Sequence, residues 1–318
     1  MTLPRRAAAL ALAVAVVGAG CTPAPAAPPS PTAEPTPTAS ATPSATPSPG
    51  ALDLTRPGTA RALVRELMDA AGSSRAIMVT VTSGDASVAV LKAGRTETWA
   101  WRDGRVQQVP SDITYVAQRT FDPDDFAFDD VGALFRVAES VSGSRREQAL
   151  QVVDYSGGLV SMSVSTNPES RPVFFHPDGT LLPTLDFTSE WGLAQGFADA
   201  VGSRRVASAI GFGSQLGVYL DTPQRADGGI DRRQRTARTP VLVTPRTEAS
   251  ELDTFDPALV DPAAVWQVLS DLQDEGEFTL DTPWTCVVDD REGTGTPRMH
   301  FTVADRSFTT TLSGSVVR

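Results

Sequence analysis

Lysine is all but missing from this chain. Lys92 is the single lysine among 27 basic residues, and 38 Asp and Glu carry the formal net charge to −11. A balance this acidic argues against nucleic acid as a partner, because phosphate binding needs a basic face. Cysteine is almost as scarce, with only Cys21 and Cys286. Cys21 sits at the end of an export signal, so Cys286 has no mate and no intrachain disulfide is expected, even though export would permit one. Only two histidines occur, His176 and His300, which speaks against zinc in the absence of partner cysteines. The longest N-terminal apolar run, residues 7 to 17, is too short to span a bilayer. No G-x-S-x-G elbow is present, and no serine lies three residues before Lys92. The glycine-rich "GFGSQLG" at 211–217 runs into a strand pattern rather than the helix that a nucleotide loop requires. No catalytic residue, metal or cofactor is therefore assigned.

What the N-terminus does contain is an address. Arg5 and Arg6 precede the apolar run, and Gly18-Ala19-Gly20 precede Cys21. Small residues before a cysteine after such a run mark an export signal over residues 1–20. Residues 22–50 hold ten prolines and no large apolar side chain. Such a segment cannot bury enough surface to offset its ordering entropy. In polyproline II, at ~3.1 Å per residue, it would reach roughly 90 Å. Residues 21–50 read as Cys21 followed by a tether.

Residues 51–318 carry an internal repeat. Four segments have helical periodicity and bury one face each. The first, Thr59 to Ala71, places Leu63, Val64, Leu67, Met68 and Ala71 on one side and stops at Gly72. The second starts near Asp130, with Val131, Leu134, Val137, Ala138 and Val141 as its stripe. The third runs from Ser189 with Leu193, Ala194, Phe197, Ala198 and Val201. The fourth has Asp261 as N-cap, Pro262 at the first helical position, and Val265, Val268, Leu269 and Leu272 inside. Short alternating runs that read as strands follow each helix, among them "AIMVTV", "ALQVVDY", "LGVYLDT" and "RMHFTVA". "WAWRDGRV" and "VFFHPDGTL" close the first two units on Asp-Gly turns. Helix starts near 59, 130, 189 and 261 imply two halves offset by about 131 residues. "TFDP" at 120–123 and again at 254–257 then falls in the lead-in to the second helix of each half. The expected fold is α+β. It has two duplicated halves, 51–185 and 186–318, each of two units in which one helix packs on a three- to four-stranded antiparallel sheet.

Cysteine at the first mature position resembles the bacterial lipobox, which implies a diacylglyceryl group on Cys21 and a place on the extracytoplasmic face of the membrane. The helix-and-sheet units, "WRDGRV", "HPDGTL" and the "TFDP" lead-ins resemble the PepSY-type module. Their tandem arrangement is similar to that of the β-lactamase-inhibitor proteins. Closer still is the resemblance to uncharacterised actinobacterial lipoproteins, a source that the Arg-over-Lys bias and Ala/Pro richness also fit. The likeness covers residues 51–318 in layout and transfers no functional residue. It implies binding or inhibition rather than a reaction.

Two surface features remain as candidates. The run "FDPDDFAFDD" offers Asp122, Asp124 and Asp125 as a weak cation loop, although its spacing does not match a calcium loop. A solvated loop with helix caps is the favoured reading. The tract 231–246 carries Arg232, Arg233, Arg235 and Arg238 as an interaction patch for anionic lipid head groups or acidic glycan, with a plain solvated hairpin face as the favoured reading. Core packing accounts for most of the aromatics, Trp99 and Trp101 included. The expected role is a lipid-anchored, non-catalytic protein-binding module in the cell envelope. The alternatives are a lipid or glycolipid carrier with an apolar cavity, and a hydrolase that would use His176 or His300.

Overall fold

The computed structural model describes residues 52–111, 118–156, 159–166, 171–247 and 252–317. Residues 1–51, where the export signal, the lipidated Cys21 and the tether are expected, lie outside them. Of the four helices, three begin where a short polar side chain satisfies a free N–H group of the first turn, and the first begins at Gly58 without a side-chain cap. The four are α1 (Thr59–Ala71), α2 (Val131–Ser142), α3 (Glu190–Val201) and α4 (Pro262–Asp274). The Ala133 N–H donates to Asp130 at 2.7 Å, Gly192 N–H to Ser189 at 3.1 Å, and Ala263 N–H to Asp261 at 2.9 Å.

The expected face of α1 is the buried one. Two helices are rotated from expectation. In α2, Val137 and Val141 are 37% and 54% exposed, and Phe135 is buried in their stead. In α3 the buried face is Gly192, Leu193, Gly196 and Ala200, whereas Ala198 is exposed. Small residues spaced by four let α3 approach the sheet closely, a contact that counting large apolar residues cannot foresee.

The strands form two antiparallel sheets of seven. The first contains β1 (Met78–Val81), β2 (Ala86–Lys92), β3 (Arg95–Arg102), β4 (Arg105–Val109), β5 (Ala149–Ser156), β6 (Leu159–Ser165) and β7 (Val173–Phe175). The second contains β8 (Ala209–Gly213), β9 (Gly217–Asp221), β10 (Ile230–Arg235), β11 (Leu242–Arg246), β12 (Trp284–Asp289), β13 (Arg298–Val303) and β14 (Arg306–Thr310). Their orders are β4-β3-β2-β1-β5-β6-β7 and β11-β10-β9-β8-β12-β13-β14. The second is the first with every number raised by seven. The architecture is thus α+β in two repeated halves.

The units do not keep separate sheets. Within each half a four-stranded and a three-stranded unit fuse through their first strands, β1 with β5 and β8 with β12. Fusion removes two open sheet edges per half and merges two marginal cores into one. Val79, Val88, Leu150 and Met162 lie in the first core with the inner faces of α1 and α2. Ile210, Leu220, Val288 and Phe301 lie in the second with those of α3 and α4. Cys286 is a fully buried member of that second core, and burial pushes its thiol pKa well up. Along β6 Met162 and Val164 alternate with Ser161, Ser163 and Ser165, and the serine face also carries the buried Val153 and Phe174 through cross-strand pairing.

Both "TFDP" stretches do the same structural job. Phe121 exchanges two backbone hydrogen bonds with Ala76, and Phe255 exchanges two with Ala207, all at 2.9 Å. The aspartate that follows caps a single 3₁₀ turn, Asp122 over Pro123–Asp125 and Asp256 over Pro257–Leu259. The motif is therefore a repeated lead-in that straps the chain beneath the second helix of each half.

Candidate functional site at the junction of the halves

The acidic loop is engaged by arginines of α1. Arg61 donates Nε and Nη2 to the two oxygens of Asp129 at 2.6 and 2.9 Å, and Nη1 to Asp124 at 3.1 Å. Arg65 Nε also reaches Asp124 at 3.1 Å. Arg65 and then Arg61 hold the Asp124 carboxyl below its ordinary range. Asp122 accepts from the Asp124 N–H at 2.9 Å as a cap. The Asp125 N–H closes the same turn on the Asp122 carbonyl, and its side chain stays exposed. Among the described residues no group of three or more His, Cys, Asp or Glu could hold a metal ion. Asp124 and Asp129 pair directly with Arg61 and Arg65, and Arg65 and Asp124 border a cleft of about 450 Å³ between α1 and this loop.

Neither histidine lies in a catalytic array. His176 is exposed beside Asp178 after β7. His300 has Thr309 Oγ1 at 3.0 Å from Nδ1 and Asp289 Oδ1 at 3.4 Å from Nε2. Acid, imidazole and hydroxyl are therefore neighbours. Yet both Asp289 oxygens are already taken by Arg291 at 2.7 Å, and Nε2 is buried without a well-directed hydrogen bond. Burial holds the His300 imidazole below its ordinary range, and Arg291 adds to the shift while Asp289 and Glu292 oppose it. A lowered folded-state pKa means that the unfolded chain takes the proton first as pH falls. The contribution is neutral above about pH 6.5 and destabilising below it. The unfolding midpoint should fall from about pH 7 to 5.5, and His300→Gln should flatten that slope. An equally steep slope in the variant would contradict the assignment.

The arginine tract divides between two faces because it is a strand. β10 pairs with β9 and β11, so Arg232 points to one side of the sheet while Arg233 and Arg235 point to the side that carries α3. Arg232 makes a two-pronged pair with Asp221, with both bonds at 2.7 Å, and stacks over Tyr219 at 3.6 Å. Arg235 is fully buried. Its Nε donates to Asp199 at 2.9 Å, Nη2 to the Pro183 carbonyl at 2.7 Å, and Nη1 to the Thr239 carbonyl at 2.5 Å and to that of Thr236. Arg233 is 9% exposed, and Nε donates to the Ala200 carbonyl at 2.8 Å. Only Arg238 among the four is exposed. The continuous surface patch is thus corrected: alternation puts two of its members inside.

Those two line a cleft where the halves meet. The cleft, about 270 Å³, has Tyr155, Leu159 and His176 on the side of the first half and Arg233, Arg235 and Leu242 on the other. A second cleft, of about 330 Å³, shares Leu182 with it and is walled by Val141, Phe174, Leu181 and the arginines Arg171 and Arg238. Tyr155, 51% exposed, meets Phe174 edge to face with centroids 6.1 Å apart, which ties the two clefts together. The exposed Val141 of α2 finds its setting here. Four arginines against one carboxylate, Asp199, face apolar walls in an acidic protein. Such a surface can hold an anionic, partly apolar chain. Sequence inspection pointed to Arg233, Arg235 and Arg238 and missed Arg171 and the walls, which come from segments distant along the chain.

No protein-family profile, curated protein or solved structure matches the chain.

Proposed function

We propose that this protein is a non-catalytic protein-binding module, held at the extracytoplasmic face of the membrane by a diacylglyceryl group on Cys21, and that its partner seats in the junction clefts. The observation that supports this is the junction itself: Arg171, Arg233 and Arg238, none with a carboxylate partner among the described residues, around Tyr155, Phe174 and Leu182. An exposed tyrosine and exposed arginines, here Tyr155, Arg171 and Arg238, beside buried apolar side chains are the residue types that carry affinity in protein interfaces. A carrier would need space between helix and sheet, and there Leu67, Phe128, Phe212 and Leu269 fill the two cores.

The test is photocrosslinking in intact cells with a benzophenone side chain at position 155. A discrete protein adduct that disappears when Arg171 and Arg238 are both changed to glutamate is expected. A stoichiometric lipid mass on the native protein without any protein adduct would replace this reading with the carrier. The absence of both would remove it.

A further inference from the structure

Resting on that reading, we propose that Arg233 is the floor of a carboxylate subsite, where an acidic residue of the partner's bound segment docks between the halves. The strand register turns Arg233 toward α3, and the last turn of that helix receives one of its N–H groups through Ala200. Its two terminal amino groups have no acceptor among the described residues, although the side chain is nine-tenths buried and borders the 270 Å³ cleft. The carboxylate that lines the same cleft is already committed. Asp199 receives Arg235 Nε at 2.9 Å and Gln195 Nε2 at 2.8 Å. Burial and the neighbouring Arg204 both push the Arg233 guanidinium pKa down, and no acid acts in the opposite sense.

A buried charge without a counter-charge is costly unless something pairs with it. A guanidinium fork matches a carboxylate with two parallel N–H···O bonds. One fork neutralises one negative charge. With one free fork at the floor of the cleft, a single carboxylate is the matched ligand. The adjoining 330 Å³ cleft, with Val141, Phe174 and Leu181, takes a large apolar side chain next to that acid. Arg171 and Arg238 at its rim draw an acidic segment toward an otherwise acidic protein.

The experiment measures binding of two labelled six-residue peptides to the full chain by fluorescence anisotropy. One alternates leucine with glutamate and the other alternates leucine with glutamine. The glutamate peptide should bind at least tenfold tighter, and Arg233→Gln should bring the two level. Arg233→Lys, which keeps the charge and loses the fork, should fall between them. Thermal midpoints report whether each variant folds. The contrast between the two peptides on the unaltered protein stands even if Arg233→Gln does not fold. Equal binding of both peptides, or no binding of either, would overturn the subsite. So would glutamate-selective binding that Arg171→Gln with Arg238→Gln abolishes while Arg233→Gln leaves it intact. In that last case the protein-binding reading survives. Binding to phosphatidylglycerol vesicles that depends on Arg233, without peptide binding, would overturn both.

Discussion

Arg235→Ala is expected to lower the unfolding midpoint by on the order of 10 °C, the largest effect of any single charged residue in the chain. The side chain is fully buried and its donors reach Asp199 and the carbonyls of Pro183, Thr236 and Thr239. Truncation removes all of these donors at once and leaves Asp199 half-buried with only Gln195 for a partner. Breaking one side of a buried pair costs about 3–5 kcal/mol. For a domain of this size that corresponds to about 2–4 °C per kcal/mol. Arg235→Lys should recover little, since an ammonium can keep Asp199 but cannot span three carbonyls in the plane of a fork. Asp199→Asn should also destabilise, and the double variant should lose less than the sum, because the two side chains share one interaction. A shift under about 1 kcal/mol for Arg235→Ala would show that the junction is wet and loosely held. Arg235 fastens β10 to the linker between the halves. Its loss should therefore weaken peptide binding at the junction even at temperatures where the protein stays folded.

The helices were legible because most of their ends carry a signal. Asp130, Ser189 and Asp261 are caps, and Gly72 and Gly202 are stops. The repeat was legible because duplication preserves spacing, and the two "TFDP" lead-ins occupy matching places. Strand β10 was not, because Ile-Asp-Arg-Arg-Gln-Arg has no apolar alternation: its inward positions are filled by arginines that find partners under α3. Strand β4, with Gln107 and Gln108 at an exposed edge, gives an equally weak signal. The fusion of units through β1 and β5 depends on a pairing between strands about 70 residues apart, which no local pattern encodes. The site was half visible for the same reason. Three of its arginines cluster in one short tract, whereas Arg171, Tyr155, Phe174 and Val141 come from elements whose meeting is decided by topology.

Gly192→Ala is the second large effect, and its sign opposes what helix propensity alone would give. Glycine inside a helix costs about 0.8–1.0 kcal/mol relative to alanine, so on propensity the change stabilises. Here a Cβ at position 192 would stand 1.8 Å from the Asp186 carbonyl oxygen and 2.6 Å from its carbon. That backbone has little freedom to withdraw. The Asp186 side chain accepts from Thr188 N–H at 2.8 Å and from Thr188 Oγ1 at 2.6 Å, and its carbonyl accepts from Ser189 Oγ at 2.7 Å. Overpacking against fixed atoms costs about 1–3 kcal/mol, more when backbone must move, so the variant should be less stable by at least ~1 kcal/mol. Gly196→Ala is the control. Its nearest neighbours, Phe187 at 2.7 Å and Val218 at 2.9 Å, are side-chain atoms that can turn aside. It should be the milder of the two by thermal melting, and the reverse order would refute the assignment. The consequence extends to the site. α3 carries both Asp199, which receives Arg235, and Ala200, whose carbonyl holds Arg233. Lifting its first turn off Asp186 tilts the whole helix, so Gly192→Ala should weaken the glutamate peptide more than Gly196→Ala does, although neither residue borders the cleft.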